Sequence, residues 1–276
     1  QQHVTFPSTM VDRIVPAMTD SAFAQLAERL GSRDPVAVEA EPFFQWVIED
    51  NFVSGRPAWE QAGAELVKDV LPFEEMKLRM LNGSHSFLAY LGFLSGYEHI
   101  SDCMADANLR TAARRLMLEQ QAPTLRTQGV DLTAYADSLI ARYENRAIKH
   151  RTYQIATDGT QKLPQRLLDS VRWHLRNGSN CDLLLLGVAG WMRYVGGVDE
   201  QGAPIEIRDP LKAELAERVA GSGEGEARVK ALLGMKAVFG EDLAQNAEVV
   251  ATLTRFWLQL REHGARATVA QAVGSP

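Results

Sequence analysis

Apolar residues recur at helical spacing along most of this chain, and nowhere do strand-like runs bracket a helix as a βαβ series requires. This pattern predicts one mainly α-helical domain over residues 1–276. The strongest segment follows Pro72 and runs from Phe73 to about Gly96. There Met76, Met80, Leu81, Phe87, Leu88, Leu91 and Leu94 form an apolar face wide enough to demand a largely buried helix. A shorter helix is expected over residues 21–30, capped by Asp20 or Ser21 and stopped by Gly31. Two more are expected, one from Glu41-Pro42 through Phe43, Phe44, Trp46, Val47 and Ile48, the other from Pro57 to about Lys68. Periodicity then predicts helices over residues 101–121, 132–142 and 164–176, the last stopped by Asn177-Gly178. It predicts three more over 182–195, 210–220 and 242–263, with Gly264 closing the final one. Strand signals are confined to residues 4–6 and 205–207. The glycine-rich stretch 221–225 reads as a loop, and the small-residue tail after Gly264 is expected to fray.

Charge narrows the partners. With 29 Lys+Arg against 35 Asp+Glu the net charge is −6, and the densest basic patch, Lys149-His150-Arg151, is too short to track a phosphate backbone. Nucleic acid and anionic membranes are therefore not expected partners. The longest apolar run, residues 183–192, meets Asp182 and Arg193 after about ten residues, where a spanning helix needs about 20. No basic region followed by an apolar one suggests a secretory signal, and Gln1 leads into Val4-Thr5-Phe6-Pro7, which reads like the middle of a protein. Cys103 and Cys181 fit neither a disulfide scaffold nor a metal site, so a reducing, cytoplasmic setting is expected. The five tryptophans, Trp46, Trp59, Trp173, Trp191 and Trp257, read as core.

Chemistry concentrates in Lys77-Leu-Arg-Met-Leu-Asn82-Gly-Ser-His85, which sets three reactive polar residues into an otherwise apolar helix. On an α-helix Asn82 and His85 sit about 60° apart, and Lys77 lies about 80° from His85 and roughly 12 Å down the axis. Only a long side chain brings that amine to the same point. A snorkelling lysine, a locally bonded asparagine and a satisfied core histidine are the plain readings of each residue alone. Together, with Gly83 and Ser84 clearing space, they read as a site. Burial lowers a lysine's pKa, which suits it to exchange a proton with an alcohol or ketone near neutral pH.

Three elements in order resemble a known family. They are Phe6-Pro-Ser-Thr-Met-Val-Asp-Arg-Ile14, the Lys77…Asn82-Gly-Ser-His85 element, and Asp158-Gly-Thr-Gln-Lys-Leu-Pro164. The family is the polyol-specific long-chain dehydrogenases, which include mannitol 2-dehydrogenase, fructuronate reductase and tagaturonate reductase. The resemblance implies a Rossmann domain binding NAD or NADP, followed by a helical substrate and catalytic domain. It implies that this chain is the second domain, with the Rossmann domain absent, because no Gly-x-Gly-x-x-Gly follows a strand. It further implies Lys77 as general acid/base, Asn82 and His85 as groups polarising the carbonyl oxygen, Asp12 and Lys162 as substrate contacts, no metal, and a monomer.

Polyol-oxidising members typically carry Arg eight residues before the equivalent of Lys162, where this chain has Gln154. The run from Lys149 to Arg166 is more similar to the fructuronate reductase branch. That branch's substrate has a carboxylate, which an arginine can grip with a two-pronged fork, and Arg151 and Arg166 are the candidates. The implied reaction interconverts D-fructuronate and D-mannonate, with mannitol 2-dehydrogenase or tagaturonate reductase activity as alternatives. A non-catalytic helical interaction domain is the reading from a different class.

Overall fold

The computed structural model describes residues 3–127 and 129–274; Gln1 and the last two residues of the small-residue tail lie outside them. Strand β1 (Thr9–Asp12) pairs antiparallel with β2 (Gln45–Glu49), which pairs parallel with β3 (Ala64–Val67). Helix α1 (Asp20–Leu30) lies between β1 and β2 in sequence; Thr19 caps its start and Gly31, at φ 67°, its end. Residues 71–94 form one continuous helix, α2. It is built from Leu71–Met76 in α form, Lys77–Gly83 in π form and Ser84–Leu94 in α form.

The expectation of one mainly α-helical domain, with strand signals confined to residues 4–6 and 205–207, is corrected by this sheet. Residues 42–48 and 57–68 do not form helices: the first region becomes β2, and the second becomes a 3₁₀ turn, Trp59–Ala62, leading through Gly63 into β3. The reason is physical. Gln45-Trp-Val-Ile-Glu49 is too short an apolar run for periodicity to distinguish helix from strand, and its aromatic and β-branched residues suit a sheet. Its partner β1 decides the matter, with Val11 opposite Trp46. Residues 4–6 and 205–207 stay outside strands. The sheet has its own small core of Met10, Val47 and Val70.

Beyond β3 the regular elements of the described residues are helical. Helix α3 (Ile100–Ala105) breaks at Asp106, whose carboxylate caps α4 (Ala107–Arg115); α4 continues as a π turn, Leu116–Gln121. Helix α5 (Leu132–Tyr143) follows, then the short α6 (Thr152–Ile155). Residues 159–177 form α7, again with a π segment, Pro164–Leu168, and end at Gly178 in the left-handed region. Helix α8 (Asp182–Tyr194) is almost wholly buried; it packs on the second half of α2 and on the long C-terminal helix Ala247–Gly274. Gly190 permits that closeness, since a Cβ there would lie 2.9 Å from the Leu91 side chain. Gly264 kinks the C-terminal helix instead of closing it, and helix continues to Gly274. Helices Lys212–Gly221 and Glu226–Leu233 flank the 222–225 loop. Trp191 and Trp257 are core residues as expected, whereas Trp46, Trp59 and Trp173 are only partly buried. No helix among the described residues is long and apolar enough to cross a membrane.

Candidate active site

The three π segments meet. Gly83 at the end of the first lies against the other two: a Cβ there would sit 2.7 Å from the Arg166 carbonyl oxygen and from Gln121 Nε2. Gln121 fastens the junction, donating from Nε2 to that carbonyl at 2.9 Å and accepting at Oε1 from Ser170 Oγ. A π turn changes which residues share a side. Five residues at about 100° each would leave Asn82 about 140° round from Lys77. The i→i+5 bonding widens the turn and carries the two towards one side. Carbonyls in the distorted stretch find side-chain donors: Ser84 Oγ reaches Met80 O at 2.6 Å and Tyr143 OH reaches Leu81 O at 2.9 Å.

Lys77, partly buried, donates from Nζ to the Val11 carbonyl at 2.5 Å. Burial holds its pKa below the ordinary lysine value, helped by the positive charges of Arg166 and Arg142 and opposed by Asp12 and Glu74. His85 is buried at 5% exposure, its ring stacked on Tyr143 at 4.4 Å and edge-on to His150 at 5.3 Å. Its Nε2 is enclosed and has no hydrogen-bond partner. Burial, then the charges of neighbouring basic groups, pushes its pKa well down, so the ring is neutral at pH 7 and can donate from one nitrogen. Asn82 is partly buried and its carbonyl accepts from Arg166 Nη1 at 3.5 Å.

Arg166 is brought to the same place. Its guanidinium also donates to Ser86 Oγ at 3.1 Å, its Nε is enclosed without a partner, and it makes no ion pair among the described residues. Lys162 Nζ donates to Ile155 O at 3.1 Å; burial first, then the Arg166 charge, lowers its pKa to about 8. Arg151 is placed elsewhere, exposed on the rim of a cleft of about 740 Å³ lined also by Ala17, Glu98 and Lys149. Gln154 Oε1 accepts from the Ala17 N–H at 3.4 Å.

Asp12 is 1% exposed, and both its oxygens accept from Arg142, at 2.9 and 3.0 Å. Arg142 also donates to Glu41 at 2.7 and 3.0 Å and lies over the Phe43 ring at 3.9 Å. Asp12 is therefore committed to protein, and its carboxylate sits beside Lys77 as a charge. Sequence reasoning missed Arg142, Glu41, Tyr143 and His150. Only His150 carried a signal, as part of the basic patch. Burial and the Lys162 charge bring its pKa down to about 4, and its Nδ1 is enclosed without a partner.

Comparison with known proteins agrees with this geometry. The family model for the mannitol dehydrogenase C-terminal domain matches residues 69–261, and that for the mannitol dehydrogenase Rossmann domain matches residues 1–61. The second match overturns the expectation that the Rossmann domain is absent: strands β1 and β2 lie in that segment and β3 follows directly after it. The chain is 66% identical over 271 residues to the uncharacterized oxidoreductase YdfI of Escherichia coli K12, covering 98% of this chain and 56% of that protein. It is 57% identical over 271 residues to the D-mannonate oxidoreductase of the same organism, again 98% of this chain and 56% of the other. Among solved structures, Pseudomonas fluorescens mannitol 2-dehydrogenase in ternary complex with NAD and D-mannitol superposes with a TM-score of 0.93 at 36% identity, over 99% of this chain and 55% of that one. The chain thus spans about half the length of the curated relatives it matches. With a C-terminal-domain match over most of its length, this chain belongs to the mannitol dehydrogenase family.

Proposed function

We propose that this chain carries the substrate-holding and proton-transferring site of an NAD-dependent oxidoreductase that interconverts a keto-uronate and an aldonate, D-fructuronate and D-mannonate. One observation carries the choice of an acidic sugar: Arg166, buried at Nε, has no carboxylate partner among the described residues. A buried guanidinium without a counter-charge is costly, and a carboxylate supplied by the substrate would satisfy it with charge-assisted bonds. The 57% identity to a D-mannonate oxidoreductase supports the same reading. Gln154, engaged with the Ala17 backbone, stands where polyol-oxidising relatives are expected to carry arginine.

The residues fit the reacting end of such a substrate, because His85 Nε2 is an enclosed, unpartnered polar atom on the same helix as Lys77. The phosphate-binding turn of a dinucleotide site is not among the described residues, since none of their strands leads into Gly-x-Gly-x-x-Gly. NADH, when bound, would supply the hydride needed at the keto carbon. Lys77, as the ammonium, gives its proton to the oxygen as negative charge grows there; in oxidation the neutral amine takes the hydroxyl proton back. Neutral His85 and the Asn82 amide donate hydrogen bonds to that oxygen and stabilise its developing charge. Arg166, with Lys162 nearby, holds the carboxylate and fixes which face of the sugar is presented.

The test is NADH oxidation by the complete gene product with D-fructuronate, D-tagaturonate and D-fructose in parallel. Turnover confined to D-fructuronate is expected. A preference for D-fructose would refute the uronate reading, and a preference for D-tagaturonate would move the reaction to the other acidic ketose.

A further inference from the structure

We infer that Arg142 is a positioning residue for Lys77: by gripping Asp12 it fixes where the Val11 carbonyl meets the amine and which charges face it. The argument starts from β1. Its residues alternate exposed and buried, so Met10 and Asp12 turn inward while Val11 turns outward. An aspartate pointing into a core must be paired, and Arg142 on α5 does this with a two-pronged bond. The same guanidinium takes Glu41, whose Oε1 also accepts from the Ile14 N–H at 2.6 Å, while Arg13 Nε donates to the Glu41 carbonyl at 2.9 Å. Phe43 covers its face. The chain is therefore fastened at Asp12, Arg13 and Ile14, directly after Val11, and the Val11 carbonyl is held for Lys77 Nζ.

This joint spans two parts of the molecule. Asp12, Glu41 and Phe43 belong to the Rossmann-matching segment, Arg142 and Lys77 to the C-terminal-domain match. The charges facing Lys77 come from four places: Asp12 on β1, Glu74 on its own helix, Arg142 on α5 and Arg166 on α7. Asp12 favours the charged amine, and Arg142 and Arg166 disfavour it. Removing either member of the Asp12–Arg142 pair therefore moves the proton affinity of Lys77 in opposite directions. A brace that only kept the fold together would move it the same way in both variants or not at all.

The importance of this positioning rests on the proposed acid/base role of Lys77, but its test needs no turnover. Lys77 is titrated in the complete protein by acetylation at a series of pH values, read by mass spectrometry on the peptide that contains it, with melting curves as the check on folding. Arg142→Met is expected to raise the midpoint and Asp12→Asn to lower it, each on the order of one pH unit. Shifts of the same sign, or no shift in folded variants, overturn the inference. Should Arg142→Met not fold, Arg142→Lys replaces it, keeping the charge while losing the fork: with Asp12 and the Val11 carbonyl less firmly held, its midpoint should depart from that of the wild type while Asp12→Asn falls, and a wild-type midpoint in folded Arg142→Lys overturns the inference. An Asp12→Asn midpoint at or above the wild-type value would overturn it in that case too. An active Lys77→Ala variant, by contrast, would defeat the catalytic reading and leave these titration shifts as they are.

Discussion

Two clusters of basic side chains lie within reach of Lys77, and they are balanced differently. Around Arg142 every charge has its answer, with two carboxylates, a ring face and a backbone N–H closing the set. Around His85, His150, Lys162 and Arg166 the described residues supply no carboxylate to the guanidinium and leave one enclosed nitrogen on each of His85, His150 and Arg166 without a partner. A saturated cluster is architecture, because folding alone completes it. An unsaturated one is tolerated only where something outside the fold completes it, which is why the second cluster is the candidate site.

Substitutions sharpen this contrast. The largest effect is expected at Lys77, where Lys77→Ala should lower turnover on the order of 10³-fold while the melting temperature stays close to wild type; activity within tenfold of wild type would remove its assigned role. Arg142→Met should act on stability, costing about 3–5 kcal/mol in a denaturant titration, because Asp12 and Glu41 are left buried without a counter-charge. Arg166→Leu should do the reverse: kcat/KM for the keto-uronate falls on the order of 10²-fold, with D-fructose reduction changed only a few-fold and stability not lowered. Equal losses on both sugars would mean that this arginine does not read the carboxylate.

Lys162 offers the smallest and most pH-dependent effect. Its pKa is about 8 in the fold, below the ordinary value of 10.5, so between these the unfolded chain binds the extra proton. The cost to stability is therefore present in full below pH 8 and is relieved as pH rises towards 10.5. Lys162→Met should melt higher than wild type at pH 7, with the gap closing by pH 10. A gap independent of pH would show that the lysine's charge is not what the fold pays for.

Much of the site was legible because its residues are adjacent in sequence. Lys77, Asn82 and His85 stand out against Met76, Met80 and Leu81, and burial of Phe87, Leu88 and Leu91 follows from their spacing alone. The π turn that runs from Lys77 to Gly83 was not legible, since a shift from i→i+4 to i→i+5 bonding leaves no mark in apolar periodicity. Arg142 looked like an ordinary basic residue in the last turn of a helix, a place where solvated charges are common. Its partners Asp12 and Glu41 lie 130 and 101 residues away, and only the fold discloses them. The strands were missed for a similar reason. Gln45–Glu49 is decided by pairing with Thr9–Asp12, an interaction without a local signature. Asp12 itself was assigned to substrate, and the structure gives that carboxylate to Arg142.

The π turn at Lys77–Gly83 makes this stretch a measured length of chain as well as a sequence of side chains. One more residue in it, with no further widening to absorb it, would rotate everything beyond by about 100°. His85 would leave the face of Tyr143, Gly83 would no longer meet Gln121, and the apolar side of Phe87 and Leu91 would turn away from its packing partners. Insertions that a surface helix absorbs are thus costly here, because the wide turn has already taken up one extra residue between the amine of Lys77 and the imidazole of His85.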